Sequence, residues 1–585
     1  MINIKENEKL DMLNHSCAHL LAHAVKHLYP EVKFWVGPAI ETGFYYDMDL
    51  GDTVITEEDL EKIEREMKKI AKSDKRITRL ELSKEEALDM FKDNPYKIEL
   101  IENIPDGETI SAYKQDDFVD LCRGPHMPTT KSMKYFKLTK VSGAYYKGDS
   151  KNKMLQRIYG VCFETEEDLN AYLQELEEAK ERDHRKIGKD MGIFMLSELV
   201  GRGLPLWLPN GYTMWRIIQN YITEKEVKHG YMHVHTPDLG NVELYKTSGH
   251  FEHYKDDMFP IMKLDDEEYV LRPMNCPHHM VIFSNGIHSY KDLPYRIAEI
   301  ANDFRYESAG SVKGIERARS FTQNDSHIFC TPEQIADEFK NVLNLIIEVY
   351  KDFNVDITKN KFRLSLRDPE DKVKYYPDDK MWDHAENALR SVLDDIGADY
   401  FEAKGEAAFY GPKLDILIKP AVGNEVAIPT IQLDFCLPMK FDLTYIDKDG
   451  SKKTPVVIHR AILGSLDRFI AFYLEETKGI LPLWISPVQA NIVPVNNEYH
   501  LEYAKEVLDL LKDNNIRVEL DDRDEKMNYK LRESITRKIP LTIILGDKER
   551  DNKTISFRKY GSEETTTLSI DEFIKYVEKT VNEKK

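Results

Sequence analysis

Long apolar stretches are missing from this chain. No run approaches the roughly 18 residues that a membrane-spanning helix needs, so the sequence predicts no membrane partner. The opening residues, Met1-Ile2-Asn3-Ile4-Lys5-Glu6-Asn7-Glu8-Lys9, hold no hydrophobic segment that could serve as a secretory signal. Cysteine is scarce, six in 585 residues. That excludes a disulfide framework and predicts a reducing, cytoplasmic setting, with each thiol read singly for metal or catalytic use. Neither a phosphate loop G-x-x-x-x-G-K-[ST] nor a dinucleotide-binding G-x-G-x-x-G after a strand occurs, so a bound nucleotide would be held by side-chain arginines. Positive charge is also short: the net charge of −21 argues against non-specific coating of nucleic acid. A local basic face remains compatible with an RNA partner.

The length predicts three or four domains at about 150 residues each, and 41% apolar residues suffice for several cores. Residues near 15–29 read as a short helix. Thr56 starts a charged helix with Leu60, Ile63, Met67 and Ile70 on one stripe. Ser83-Lys84-Glu85-Glu86 is a capping box opening another. From Lys131 to Arg157 eight Lys/Arg stand against one acid, with Tyr135, Phe136, Tyr145 and Tyr146 interleaved. Thr165 to about Lys186 reads as one amphipathic connecting helix. The middle of the chain is rich in strand-like stretches such as Leu414–Ile418, and Thr331-Pro332-Glu333-Gln334 caps a helix through Tyr350. After Ser486 strand and helix alternate through Leu541–Leu545, and Ser569-Ile570-Asp571-Glu572 opens a last helix. This order predicts a small α/β domain with a largely parallel or mixed sheet.

Three constellations could carry chemistry. His15, His19, His23 and His27 recur at i, i+4, and Cys122-Arg123-Gly124-Pro125-His126 follows about a hundred residues later. HxxxH with CxxxH offers four ligands of the kind zinc prefers; a metal site and a metal-free hydrolytic pocket fit these residues equally. The second is Cys276, His327 and His459, too far apart for spacing alone to unite. The third joins Phe304-Arg305-Tyr306-Glu307, Arg317 to Asp325, and Gly464-Ser465-Leu466-Asp467-Arg468. Its arginines match phosphate and carboxylate oxygens, or else form structural ion pairs.

Read in order, these segments resemble the three signature motifs of class II aminoacyl-tRNA synthetases, and specifically the threonyl-tRNA synthetase family. The resemblance is carried by His15-Ser16-Cys17-Ala18-His19-Leu20-Leu21-Ala22-His23, Asp120–His126, Lys153–Gly160, Phe321-Thr322-Gln323 and His459–Ser465. It implies an α+β multidomain chain: an N-terminal editing domain (1–163), a helical linker (164–190), a catalytic antiparallel sheet flanked by helices (191–485) and a C-terminal α/β anticodon-binding domain (486–585). The implied reaction joins L-threonine to tRNA(Thr) through a threonyl-adenylate made from ATP with Mg2+. The implied assembly is a homodimer, with Pro237 in the dimer-forming motif. One Zn2+ per subunit would rest on Cys276, His327 and His459. Arg305, Arg317 and Arg468 would hold carboxylate and phosphates, with Gln323, Asp325, Tyr410 and Gln432 around the amino acid.

Editing of seryl-tRNA(Thr) would fall to His19, His23, Cys122, His126, Lys97 and Asp120; residue chemistry alone equally allows His15 with His19. Arg532, Glu549 and Arg558 match positions that read anticodon bases, and Lys526–Arg558 holds nine Lys/Arg against four acids. Two departures stand out. The resemblance starts about ten residues from Met1, so the small ubiquitin-like domain the family often carries is expected to be missing. His278 follows Pro277 where glycine is usual, and with His279 offers rival ligands beside Cys276. The competing readings are an RNA-binding paralogue without chemistry and an alanyl enzyme, which shares the His/Cys pattern.

Overall fold

The side chain of Asn7 accepts hydrogen bonds from the backbone N–H groups of Lys9 and Leu10, and this cap starts the first helix at Glu8. The helix runs Glu8–Leu28, two turns longer toward the N-terminus than the sequence pattern suggests, because the histidine motif conceals the earlier cap. The computed structural model describes residues 2–105, 107–149, 151–357, 360–418 and 426–585. They form two compact units, Met1–Ala179 and Lys180–Lys585.

In the first unit the helix Glu57–Lys72 buries the expected stripe of Leu60, Ile63, Met67 and Ile70. It packs with the first helix against a sheet whose long strands are Gly43–Asp49, Met154–Phe163 and, at one edge, Tyr135–Tyr145. A smaller sheet pairs Ile77–Leu82, Ile110–Gln115 and Phe118–Leu121, all antiparallel. The expected connector is not one helix. Glu166–Arg182 ends at Asp183, whose carboxylate caps a new helix His184–Met191, which Gly192 terminates in the left-handed conformation.

The second unit is built on an eight-stranded sheet in the order Met232–His233, Tyr295–Phe304, Ser320–Cys330, Val456–Ser465, Val426–Asp434, Lys413–Ile418, Lys361–Leu366, Tyr400–Lys404. Only the two outermost pairs are parallel. The helices Pro209–Lys228, Ile335–Asp352 and Leu466–Thr477 pack on it around Ile328, Ile431, Ile458 and Ile462. Arg460 donates to Glu226 of the first of these helices at 2.6 Å, and Asn324 to the same oxygen at 2.8 Å. The C-terminal part holds a five-stranded sheet: Val518–Leu520, Ala490–Pro494 and Leu541–Leu545 are parallel, as the alternation suggests. Thr554–Lys559 and Thr565–Ser569, which the alternation passes over, extend it antiparallel.

Candidate functional site

An α-helix turns 100° per residue, so each i, i+4 step advances a side chain by about 40°. The stripe of four histidines therefore winds through roughly 120° over about 18 Å of axis, and one pocket cannot take all of it. The hairpin Ile110–Gln115 / Phe118–Leu121 divides it. Its turn meets the far pair: His23 Nε2 lies 2.7 Å from Asp117 Oδ1, and His27 reaches the same carboxylate. The chain leaving its second strand delivers Cys122 and His126 to the near pair. Cys122 Sγ is 3.1 Å from His15 Nε2 and 3.3 Å from His126 Nε2, and ligand atoms of His15, His19, Cys122 and His126 all lie within 4.8 Å of one another. The expected assignment of His23 to this pocket is corrected: His15 takes that place, and His23 belongs to the hairpin turn.

The pocket is a cavity of about 690 Å³, lined among others by His15, His19, Tyr46, Lys97, Asp120 and Cys122. Lys97 Nζ stands 2.6 Å from Asp120 Oδ1, and both side chains are almost wholly buried. Tyr46 donates to the other carboxylate oxygen, and His19 lies 3.8 Å from it. Tyr46 escapes sequence reasoning because Phe44-Tyr45-Tyr46 reads as an ordinary core strand. Burial holds the His15, His19 and His126 imidazoles below their usual range, which favours the neutral form. Burial also pushes the Cys122 thiol up to about 11.

In the second unit, cross-strand register builds the other site. His327 lies directly opposite His459, and His459 directly opposite Gln432, so the three share one face. Asp325 and Gln323 follow on that face at alternate positions along the strand, with a register shift between them. Tyr410 donates to Gln432 Oε1 at 2.6 Å and stacks on the His459 ring at 5.0 Å. Cys276 comes from the first turn of the helix Cys276–Ser284.

Next to this group a cleft of about 320 Å³ is lined by Arg305, Arg317 and Arg468, and Arg305, Gln323 and Gln432 also line the smaller cavity around Cys276 and His459. The two cavities are therefore adjacent, with these side chains as their common wall. Arg468 donates to the Glu316 carbonyl at 3.1 Å, and Arg317 to the Glu307 carboxylate at 2.9 Å. Burial, then repulsion from Arg305, pulls the Arg468 guanidinium below its ordinary range. Three arginines and Lys413 line this cleft against Glu307, Glu316 and Asp415, and the small excess of positive charge with converging guanidinium groups makes a site for an anion.

The residues around Cys276 fit a metal ion. Ligand atoms of Cys276, His327 and His459 lie within 4.8 Å of one another, and all three residues are buried. His327 Nε2 has no hydrogen-bond partner, while its Nδ1 contacts His279 Nδ1 at 2.7 Å. His279 in turn reaches Glu299 at 3.2 Å, and His459 Nε2 is held by Asp434 at 2.8 Å. Two imidazoles oriented by buried partners, beside a thiol, are the expected donor set of zinc. His279 is thus no rival of Cys276 but the group that orients His327, and His278 is outside the cluster. His250, which sequence reasoning passed over because it lies in no motif, contacts Cys276 Sγ at 3.4 Å, with burial holding its imidazole down to about 3.

On the short helix Asp547–Asn552, Glu549 accepts hydrogen bonds from the Gly546 N–H and from Ser556 of the C-terminal sheet. Arg558 stands two residues beyond Ser556 on the same face of its strand and donates to Thr565. Glu549 and Arg558 therefore belong to one surface, whereas Arg532 is exposed on the separate helix Met527–Thr536.

The antiparallel core with its arginine-lined cleft is that of the class II aminoacyl-tRNA synthetases: the tRNA synthetase class II core domain (G, H, P, S and T) matches residues 259–477. An anticodon binding domain matches 489–580, and the threonyl and alanyl tRNA synthetase second additional domain matches 110–159. Over 569 residues the chain is 55% identical to the threonine–tRNA ligase of Geobacillus sp. (strain WCH70), covering 97% of this chain and 88% of that one. It is 56% identical to that of Staphylococcus carnosus (strain TM300) over the same shares. The crystal structure of the RNA binding domain of threonyl-tRNA synthetase from Cryptosporidium parvum Iowa II superposes with a TM-score of 0.64, at 35% identity, over 68% of this chain and 98% of that one. The chain belongs to the threonine–tRNA ligase family, ATP-dependent ligases, and carries an aminoacylation core together with an editing-associated domain.

Proposed function

We propose that the adjoining cavities of the second unit activate threonine with ATP. Arg305 bridges the amino-acid carboxylate and the α-phosphate, Arg317 takes the γ-phosphate, and Arg468 neutralises the phosphates from the other side, with Mg2+ accompanying the nucleotide. Attack of a carboxylate on phosphorus needs alignment and charge neutralisation more than covalent help. Gln323, Asp325, Tyr410 and Gln432 orient the amino acid, Asp325 accepting the hydrogen bond of its hydroxyl. Cys276, His327 and His459 would hold one zinc ion, which supplies a Lewis-acid position for the substrate amino group and hydroxyl. Valine has no hydroxyl to offer, and an apolar pocket alone rejects an isostere poorly. Serine keeps the hydroxyl and differs by one methyl, worth only about 1–3 kcal/mol. A second, hydrolytic site is therefore needed. His15, the imidazole least depressed by burial, beside the Lys97–Asp120 pair, takes a proton from a water attacking the seryl ester of tRNA(Thr), with His19 and His126 as neutral hydrogen-bonding neighbours.

Three further features follow from the same reading. Glu549, Arg558 and Arg532 contact the anticodon loop, whose splayed bases suit edge recognition. The half-exposed Met232 and Leu239, flanking Pro237 at the sheet edge, belong to a homodimer interface. No described helix is long and apolar enough to cross a membrane, and all six cysteines are free, which suits the cytoplasm.

The observation that carries the reading is the cluster of Cys276, His327 and His459, ligand atoms within 4.8 Å of one another and His327 Nε2 buried without a hydrogen-bond partner among the described residues, beside an arginine-lined cleft. ATP–pyrophosphate exchange and elemental analysis of Cys276→Ser test it. Loss of one zinc per chain together with loss of threonine-dependent exchange is expected; full exchange in metal-free protein would sink the assignment.

A further inference from the structure

The second half of the histidine stripe takes no part in either site described above, yet it is built like one. His23 Nε2 and His27 Nε2 lie 3.1 Å apart, and both face the Asp117 carboxylate, at 2.7 Å and 3.3 Å. The outer ring nitrogens are held from behind. His27 Nδ1 is 3.1 Å from Glu66 Oε1, and His23 Nδ1 is 3.0 Å from the Gln115 side-chain amide. A proton on His27 Nδ1, donated to Glu66, leaves a bare lone pair on Nε2 aimed at the other two groups. The Gln115 amide points the same way. Its Oε1 is buried without a hydrogen-bond partner among the described residues, and turning the amide over would let that oxygen accept from His23 Nδ1–H. His23 Nε2 would then also be a free lone pair. Amide orientation and imidazole tautomer are interchangeable in this manner, so the network has one arrangement in which three donor atoms converge on a single point.

We propose that His23, His27 and Asp117 bind a divalent transition-metal ion, separately from the cysteine-containing clusters. Two imidazoles at i, i+4 on a helix with one carboxylate suit zinc, nickel or copper, not magnesium or calcium. Glu66 and Gln115 orient the imidazoles as partners of metal-bound histidines do. The Asp117 side chain is 69% exposed and that of His27 35%, so an ion reaches the site without unfolding and keeps water in its remaining positions. The ion would clip the first helix to the turn of the hairpin. That helix carries His15 and His19, and the hairpin's second strand leads to Asp120 and Cys122, so the clip would stiffen the hydrolytic pocket from outside it.

The test is cobalt(II) uptake by the full chain, loaded with its tightly held zinc and then dialysed free of loose metal. One further equivalent is expected, without the thiolate-to-cobalt charge-transfer absorption that a cysteine ligand produces. It should vanish in His27→Gln and in Asp117→Asn, whose side chains are exposed enough to leave folding intact, and persist in Cys122→Ser. Adding zinc should raise the melting midpoint of the wild-type chain and leave that of His27→Gln unchanged. No uptake by the wild type would mean a hydrogen-bonded network only, and would overturn the proposal. Retention of the equivalent in His27→Gln, or its loss in Cys122→Ser, would overturn it as well.

Discussion

Replacing Lys97 by Met keeps most of the side-chain volume and removes one charge from the hydrolytic pocket. In the wild type the ammonium lies 2.6 Å from Asp120, with 2% and 3% of the two side chains exposed. Breaking such a buried pair from one side costs about 3–5 kcal/mol, because the surviving charge is left in a poorly polarisable interior. Asp120 retains two hydrogen bonds, from Tyr46 and from the Leu121 N–H, so the lower end, about 3 kcal/mol, applies. For a unit of this size each kcal/mol moves the melting midpoint by about 2–4 °C, giving a drop of roughly 6–12 °C. Calorimetry of the full chain should show that drop in the transition of the first unit, and the transition of the second unit should stay in place. Below the lowered midpoint, threonine-dependent pyrophosphate exchange should be normal while deacylation of seryl-tRNA is largely lost. Adding Asp120→Asn to Lys97→Met should recover part of the stability, since no charge is then stranded. A first-unit midpoint within 2 °C of wild type, by the same scale, would refute the reasoning.

His15→Ala should slow deacylation of seryl-tRNA by about 10²–10⁴-fold, the usual worth of a proton-transferring group, with His23→Ala close to wild type; the reverse ranking would reinstate His23 in the pocket. Burial alone would raise the Glu299 carboxyl, but hydrogen bonds from His279, Asn275 and the Thr236 N–H, with Arg272 nearby, hold it down to about 2. A depressed acid stabilises the fold above its unfolded pKa and loses that contribution as pH falls, here between roughly 4.5 and 2, with about 3 kcal/mol at stake. Urea titrations should therefore show Glu299→Gln less stable than wild type at pH 7 and level with it near pH 2. Arg558→Ala should weaken tRNA charging by about 1–3 kcal/mol with adenylate formation intact; equal damage to both steps would mark the residue as structural.

What the sequence made legible follows the range of each interaction. Helix caps are local, so Thr56, Ser83 and Ser569 mark their helices in the sequence; Asn7 is a cap of the same kind, but the histidine repeat that dominates its helix begins two turns later. Motifs located the arginines and the Cys276 group through a family resemblance, but only cross-strand register puts His327 opposite His459. The phase of the four histidines was illegible because an i, i+4 repeat is the same at every step. A hairpin about ninety residues away decides which pair meets Cys122. Tyr46 and His250 carry no signal of their own, since an aromatic on a strand or a lone imidazole has the same local pattern whether it packs or acts.

The order of strands in the large sheet also bears on how the chain is made. Ser320–Cys330 is flanked in the finished fold by Tyr295–Phe304 and by Val456–Ser465, so one neighbour is synthesised just before it and the other roughly 125 residues later. At translation speeds of about 5–20 residues per second, this strand waits on the order of 6–25 s with an unpaired edge. The waiting edge ends in Ile328, Phe329 and Cys330, all buried in the finished protein, which is the combination that invites pairing with another nascent chain. Ribosome-bound chains halted before residue 456 should accordingly recruit holding chaperones, and chains released past residue 465 should shed them. Rapid synthesis through residues 331–455 would then favour yield of the folded enzyme more than added stability in the finished sheet would.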